Sequence, residues 1–192
     1  MKILTLLSQK GGSGKTTLAV HLAVAAEAEQ ESVVIIDTDP QASATAWAHL
    51  RSNGTPEVTT VTPSEIGRIL PVAQEAGKTF VVIDTAPHAS VGATKAASIA
   101  DFILIPCRPT AFDLAAIQAV VDIVQATKKP AAFVLNACPA RAVETREARE
   151  TLLSYGFPVA PVEIGERRSY ARAIASGKAV TEFESIGKSA EE

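Results

Sequence analysis

Eight consecutive residues, Lys10-Gly11-Gly12-Ser13-Gly14-Lys15-Thr16-Thr17, are of the types that hold a polyphosphate. Glycines let the backbone curl so that successive N–H groups face one concavity, where an anion sits. From such a loop Lys15 reaches the β- and γ-phosphates, and the Thr16 hydroxyl is placed for Mg²⁺. Two carboxylate-bearing stretches follow. Val34-Ile35-Ile36-Asp37-Thr38-Asp39-Pro40-Gln41 ends an apolar run with two acids, spaced so that both point to one side if the strand continues. Phe80-Val81-Val82-Ile83-Asp84 ends another run with a single acid, of the kind that reaches Mg²⁺ through a bound water. Taken alone, the first reads equally as a charged turn with Asp39 capping a helix, and the second is weak. Their order after the loop gives them weight as phosphate-side groups.

These residues need elements to hold them at one edge. The loop lies between an apolar run, 3–7, and a helical pattern, 17–28, with apolar residues at 18, 22, 25 and 26. Strand, glycine-rich turn and helix form the context a phosphate loop requires, and the helix N-terminus adds unpaired N–H groups. Apolar strand-like runs recur at 33–36, 58–61, 80–83, 102–105, 132–135 and 159–164, with helical patterns at 41–50, 64–76, 92–100, 113–127, 143–154 and 169–176. This alternation predicts one α/β domain over 1–192, a mostly parallel twisted sheet with helices on both faces, and a polar tail from about 184. Pro71 predicts a kink or break within 64–76. Asp113 is placed to cap the helix from 114, and Lys128 and Lys129 suit its C-terminal end.

Composition sets outer limits. The 192 residues are 47% hydrophobic and 20% charged, ordinary for a soluble globular chain with a substantial core. With a net charge of −3, any nucleic-acid surface must be a local patch. The two cysteines, Cys107 and Cys138, form no C-x-x-C pair, which argues against a bridging zinc or iron–sulfur site and against a disulfide framework. His21, His49 and His88 have no ligand spacing; His21 reads as a helix-packing residue, Trp47 as a core anchor. Ser8, Gln9 and Lys10 interrupt the first apolar run, so no secretory signal is read there. No stretch approaches a membrane span, and the acidic tail lacks both a lipidation motif and a basic amphipathic helix. A cytoplasmic protein is expected.

One departure narrows the reading. G-x-x-x-x-G-K-[ST] calls for glycine where this chain has Gln9, and Lys10 opens the loop instead. The form K-G-G-x-G-K-T-T resembles the deviant Walker A motif of the ParA/MinD family of dimerising ATPases. D-x-D-P-Q at 37–41 is similar to the switch I segment of ParA proteins, and D-T-A-P at 84–87 to their switch II. The resemblance runs from about residue 2 to 183, and is nearest to short, ParF-like partition ATPases without an N-terminal helix-turn-helix domain. It implies a P-loop NTPase fold and ATP/ADP with Mg²⁺ as cofactors. It places Asp37 near the metal shell with Thr16 and Asp84, and Asp39 at the attacking water. No glutamate follows Asp84 to act as a base. It also implies that Lys10 crosses a dimer interface to the partner's nucleotide, so that ATP joins two subunits and hydrolysis releases them.

The second half is less specific. I-P-C-R-P at 105–109 resembles a family segment near the nucleotide and the dimer interface, though a rigid strand-to-helix loop explains it as well. Asn136 ends a strand where relatives contact adenine, and its amide both donates and accepts; Pro161 is a backbone candidate for that pocket. A plain strand-end turn remains open for Asn136. Arg167, Arg168, Arg172 and Lys178 form the clearest basic cluster, with Arg141, Arg146 and Arg149 as further candidates among glutamates. Relatives bind DNA without sequence preference through this C-terminal region, and phosphate contacts of that kind are salt-sensitive; solvated surface charge is the competing reading. The implied partners are a second copy with ATP, nucleoid DNA, and a small centromere-binding or adaptor protein (ParB- or ParG-like), with no membrane. Two alternatives stay open: a MinD-like membrane-surface positioning ATPase, and a ParA-like regulatory ATPase of a secretion or synthase complex that binds no DNA.

Overall fold

The computed structural model describes residues 1–87 and 91–192. His88 lies outside the described residues. Seven strands, β1 (Lys2–Leu6), β2 (Val33–Asp37), β3 (Glu57–Thr60), β4 (Phe80–Asp84), β5 (Phe102–Cys107), β6 (Ala131–Cys138) and β7 (Val159–Gly165), form one sheet in the order β3-β2-β4-β1-β5-β6-β7. Every pairing is parallel. Between the strands run α1 (Lys15–Ala28), α2 (Ser43–His49), α3 (Ile66–Glu75), α4 (Val91–Ile99), α5 (Ala111–Ala115), α6 (Ile117–Thr127) and α7 (Val143–Leu153). After β7 come α8 (Arg168–Ala175), α9 (Val180–Phe183) and α10 (Lys188–Glu191).

The apolar strands are continuous because both faces are covered. Alternation divides each strand between two cores. On β2 and β4, Val33, Ile35 and Val82 pack with α1, Trp47 of α2 and Ala179. Val34, Ile36, Val81 and Ile83 pack with Ile66 and Ala73 of α3 and Ala96 of α4 on the other face. A third cluster joins Ile103, Ile105, Phe133 and Leu135 to α6 and α7. Full burial of each such Val, Leu or Ile contributes roughly 1.5–3 kcal/mol. By the same alternation Asp37 follows Ile35, and Asp84 follows Val82, onto the α1 face. The two acids are register partners at the strand ends.

Three local readings differ from the structure. Helix α3 runs through Pro71 without a break; six residues into a ten-residue helix, its missing N–H removes one bond, and the apolar face of α3 holds the rest. The long helix expected over 113–127 is two helices meeting at Ala116. Thr110, not Asp113, caps the first: its hydroxyl accepts from the Asp113 N–H at 3.2 Å. The polar tail is docked, with Ser189 buried and its carbonyl accepting from the Tyr170 hydroxyl at 3.0 Å.

Candidate functional site

The loop 10–14 leaves β1 at the centre of the sheet and delivers its backbone into the N-terminus of α1. Gly12 (φ 77°) and Gly14 (φ 97°) hold left-handed conformations that side chains disfavour. At Gly14 space adds a second reason, since a Cβ would stand 1.9 Å from Asn136 Nδ2. That amide donates to the Ser13 carbonyl at 2.7 Å, so β6 braces the loop from two strands away.

Lys15 is 6% exposed, with its ammonium 3.5 Å from the Lys10 carbonyl. Burial pushes its pKa down, and the nearby Asp84 and Asp39 carboxylates oppose that. Such an ammonium, partly stripped of water among backbone amides, is poised for an anion richer in charge than these acids. Asp84 is fully buried. Its Oδ2 accepts from the Thr16 hydroxyl at 2.6 Å, while Oδ1 has no hydrogen-bond partner among the described residues. Burial raises the Asp84 carboxyl to about 7, with Asp37 and Asp39 adding to the rise and Thr16 and Lys15 opposing it.

An open carboxylate oxygen beside a threonine hydroxyl fits a hydrated Mg²⁺, which takes few protein ligands and completes its shell with waters and phosphate. Among the described residues no group of three His, Cys, Asp or Glu could hold a metal without such help.

Asp37 lies elsewhere in its hydrogen bonding. Its Oδ1 accepts from the Asp39 N–H (3.1 Å), and its Oδ2 from Ala44 (3.1 Å) and Thr45 (3.3 Å) at the start of α2. The carboxylate caps α2, whose own N-cap residue, Ala42, has no side-chain acceptor. Burial raises its pKa, against these three amide bonds. The strand stops at Asp37, so Asp39 follows a turn, not the strand alternation; its Oδ1 accepts from Gln41 N–H at 2.9 Å.

A cleft of about 580 Å³ opens over the loop. Its lining brings together Gly11, Gly12, Gly14, Lys15, Thr16 and Thr17 with Asp39 and Asn136. Pro161 is exposed, four residues short of the end of β7, and is not among the lining residues; Gly165 and Glu166 stand there instead. Lys10 points along the outer rim. Its ammonium pairs with Asp113 at 3.0 Å and lies 5.3 Å from the centre of the Phe112 ring. β5 pairs directly with β1, so the loops leaving these two strands adjoin, although 103 residues separate the pair in sequence.

The basic cluster divides. Arg168, Arg172 and Lys178 are exposed, with Arg172 resting on the Phe183 ring at 5.2 Å. Arg167 instead turns into the cleft and pairs with Glu192. Arg149 is held by Glu163 and the Ala160 carbonyl. Sequence reasoning read Asp113 only as a helix cap and Arg108 only as part of the 105–109 segment, and did not single out Tyr170 or Glu192. Strand order, which places residue 108 and its neighbours beside the loop, brings Asp113 to Lys10.

A match to the family described as the CobQ/CobB/MinD/ParA nucleotide binding domain spans residues 4–180. The chain belongs to that family. Within the ParA/MinD-type proteins, it is similar to the maintenance of carboxysome distribution protein A of Halothiobacillus neapolitanus, 30% identical over 97% of this chain and 90% of that protein. It is likewise similar to the protein of that name from Gloeobacter kilaueensis, 32% identical over 100% of this chain and 88% of that one. In fold it matches the septum site-determining protein MinD of Pyrococcus horikoshii, solved with Mg-ADP. The TM-score is 0.81, at 16% identity, covering 99% of this chain and 91% of the other. For this ParA/MinD-type chain, no described helix is long and apolar enough to cross a membrane.

Proposed function

We propose that this protein is an ATPase that pairs into a homodimer around ATP, binds DNA without sequence preference in that state, and is released by hydrolysis, so positioning a plasmid, a chromosome region or a protein cargo. The observation that carries the reading is Lys10. A second lysine opens the phosphate loop, yet it points away from its own cleft to the rim, 42% exposed, beside a Phe112 ring that is 80% exposed. A cation and an aromatic face presented together suit a second subunit whose nucleotide offers more negative charge than Asp113. Within one subunit, Lys15 and the loop amides hold the phosphates, Thr16 and Asp84 hold Mg²⁺, and Asp39 orients the water. The bound metal would neutralise phosphate charge; phosphoryl transfer asks mainly for that and for alignment.

Arg168, Arg172 and Lys178 supply an exposed basic patch on a chain of net charge −3, and pairing would double it. The carboxysome distribution relatives suggest a protein cargo. A small ParB- or ParG-like adaptor that stimulates hydrolysis, and a place on the nucleoid in the cytoplasm, complete the proposal.

The test compares wild type with Asp39→Ala, sized with ADP and with ATP and then retained on non-specific DNA at low salt. ATP-dependent doubling of mass and DNA retention are expected, persisting in Asp39→Ala while its turnover falls about 100-fold. A monomer with ATP sinks the dimer. A dimer that ignores DNA leaves a regulatory ATPase without a nucleic-acid role.

A further inference from the structure

The cleft has a second end. β7 lies three strands from β1, about 14 Å at the usual spacing between neighbours. From the β1 loop the lining of the cleft continues to the ends of β6 and β7, where it includes Asn136, Ala137, Gly165, Arg167 and Tyr170.

Arg167 is fixed in an unusual way. Its Nε donates to Glu192 Oε1 at 2.9 Å, and its Nη2 donates to the same oxygen. Glu192 Oε2 accepts from the Gly165 N–H and from the Tyr170 hydroxyl, each at 3.0 Å. The guanidinium lies flat over Gly165. A Cβ at that position would stand 3.1 Å from Nε and 3.2 Å from both Cζ and Nη2, three coplanar atoms at nearly one distance. One face of the guanidinium is therefore covered by glycine backbone, and the arginine side chain remains 35% exposed in the cleft. A planar cation locked by a carboxylate and partly open to the cleft is a surface on which an aromatic base stacks. Its charge is already matched by Glu192, whereas the loop end of the cleft has Lys15 for phosphate.

We infer that Arg167, held flat by Glu192, is the platform for the nucleobase, and that the segment carrying α10 is thereby part of the nucleotide site. The inference rests on the reading that a nucleoside triphosphate occupies the cleft. Arg167 contacts the base; Glu192 and Tyr170 act as positioning residues, and glycine at 165 lets the guanidinium lie close. Nothing in this role requires Arg167 to reach DNA.

The experiment measures the affinities of ATP and of inorganic tripolyphosphate, which has the phosphates and no base, for wild type, Arg167→Ala, Arg167→Lys and Glu192→Gln. Wild type should prefer ATP. Arg167→Ala should weaken ATP about tenfold and leave tripolyphosphate unchanged, which also reports an intact loop. Arg167→Lys keeps the charge without the plane and should lose nearly as much. Glu192→Gln should fall between wild type and Arg167→Lys. An ATP-to-tripolyphosphate preference unchanged in Arg167→Ala, or full ATP affinity in Arg167→Lys, overturns the inference and leaves the nucleotide reading standing. Wild-type protein that binds neither ligand overturns both.

Discussion

The two ends of the cleft are built on different plans. At the β1 end, one run of eight residues supplies nearly everything: amides, a buried lysine, a threonine hydroxyl and glycines at the positive φ values. At the β6–β7 end the wall is assembled from Asn136, Gly165, Arg167, Tyr170 and Glu192, which span 57 positions and meet only in three dimensions. Backbone geometry makes the first end, so a short motif encodes it. Side-chain pairs make the second, so no motif does. Asn136 joins them, reaching from the strand end to the Ser13 carbonyl.

Three substitutions probe this division, in falling order of effect. Lys15→Ala strikes the local end alone. It should lower affinity for ATP and for tripolyphosphate alike, by about 100-fold or more, because a buried charge-assisted contact to phosphate is lost. Affinity within a few-fold of wild type in a titration would remove the loop from the site. Asn136→Ala tests the joint. Losing a 2.7 Å bond that shapes the loop should weaken both ligands about tenfold; if only ATP suffers, the asparagine serves the base and not the loop.

Asp84→Asn is the smallest of the three in folding terms, and its sign depends on pH. Burial raises the folded carboxyl to about 7, above its unfolded value, so the acid favours the fold fully only when protonated. Its contribution is full below the unfolded value of about 4 and is lost progressively as pH rises to about 7. The amide bears no such penalty, so Asp84→Asn should melt higher than wild type at pH 8, by about 3–6 °C for roughly 1–2 kcal/mol, and the gap should close only as pH falls to about 4. Mg²⁺-dependent turnover should be lost at either pH. A calorimetric scan with no gain at pH 8 would show that the buried acid carries no cost.

Sheet, strand order of the motifs and phosphate loop were legible because each rests on a local pattern: continuous apolar strands, glycine placement, and acids at strand ends. Asp37 was legible as a residue at the right place, but not in its bonding. Its capping of Ala44 and Thr45 depends on α2 starting at Ser43, after a left-handed Ala42, which periodicity does not mark. Arg167 was read with the basic patch because Arg167, Arg168, Arg172 and Lys178 are neighbours in sequence. Only the docking of residue 192 twenty-five positions later separates the first from the others. Lys10 was legible as unusual, whereas its partner Asp113 lay beyond any spacing rule.

Helix α2 carries the chain's one tryptophan. Trp47 donates its indole N–H to the Lys178 carbonyl at 3.2 Å and stacks under the Arg51 guanidinium, which holds Glu182. The same helix begins at the amides that Asp37 grips. The one tryptophan therefore sits between Asp37, the register partner of Asp84, and the segment bearing the exposed basic residues. Its emission is a label-free gauge of whether the two move together.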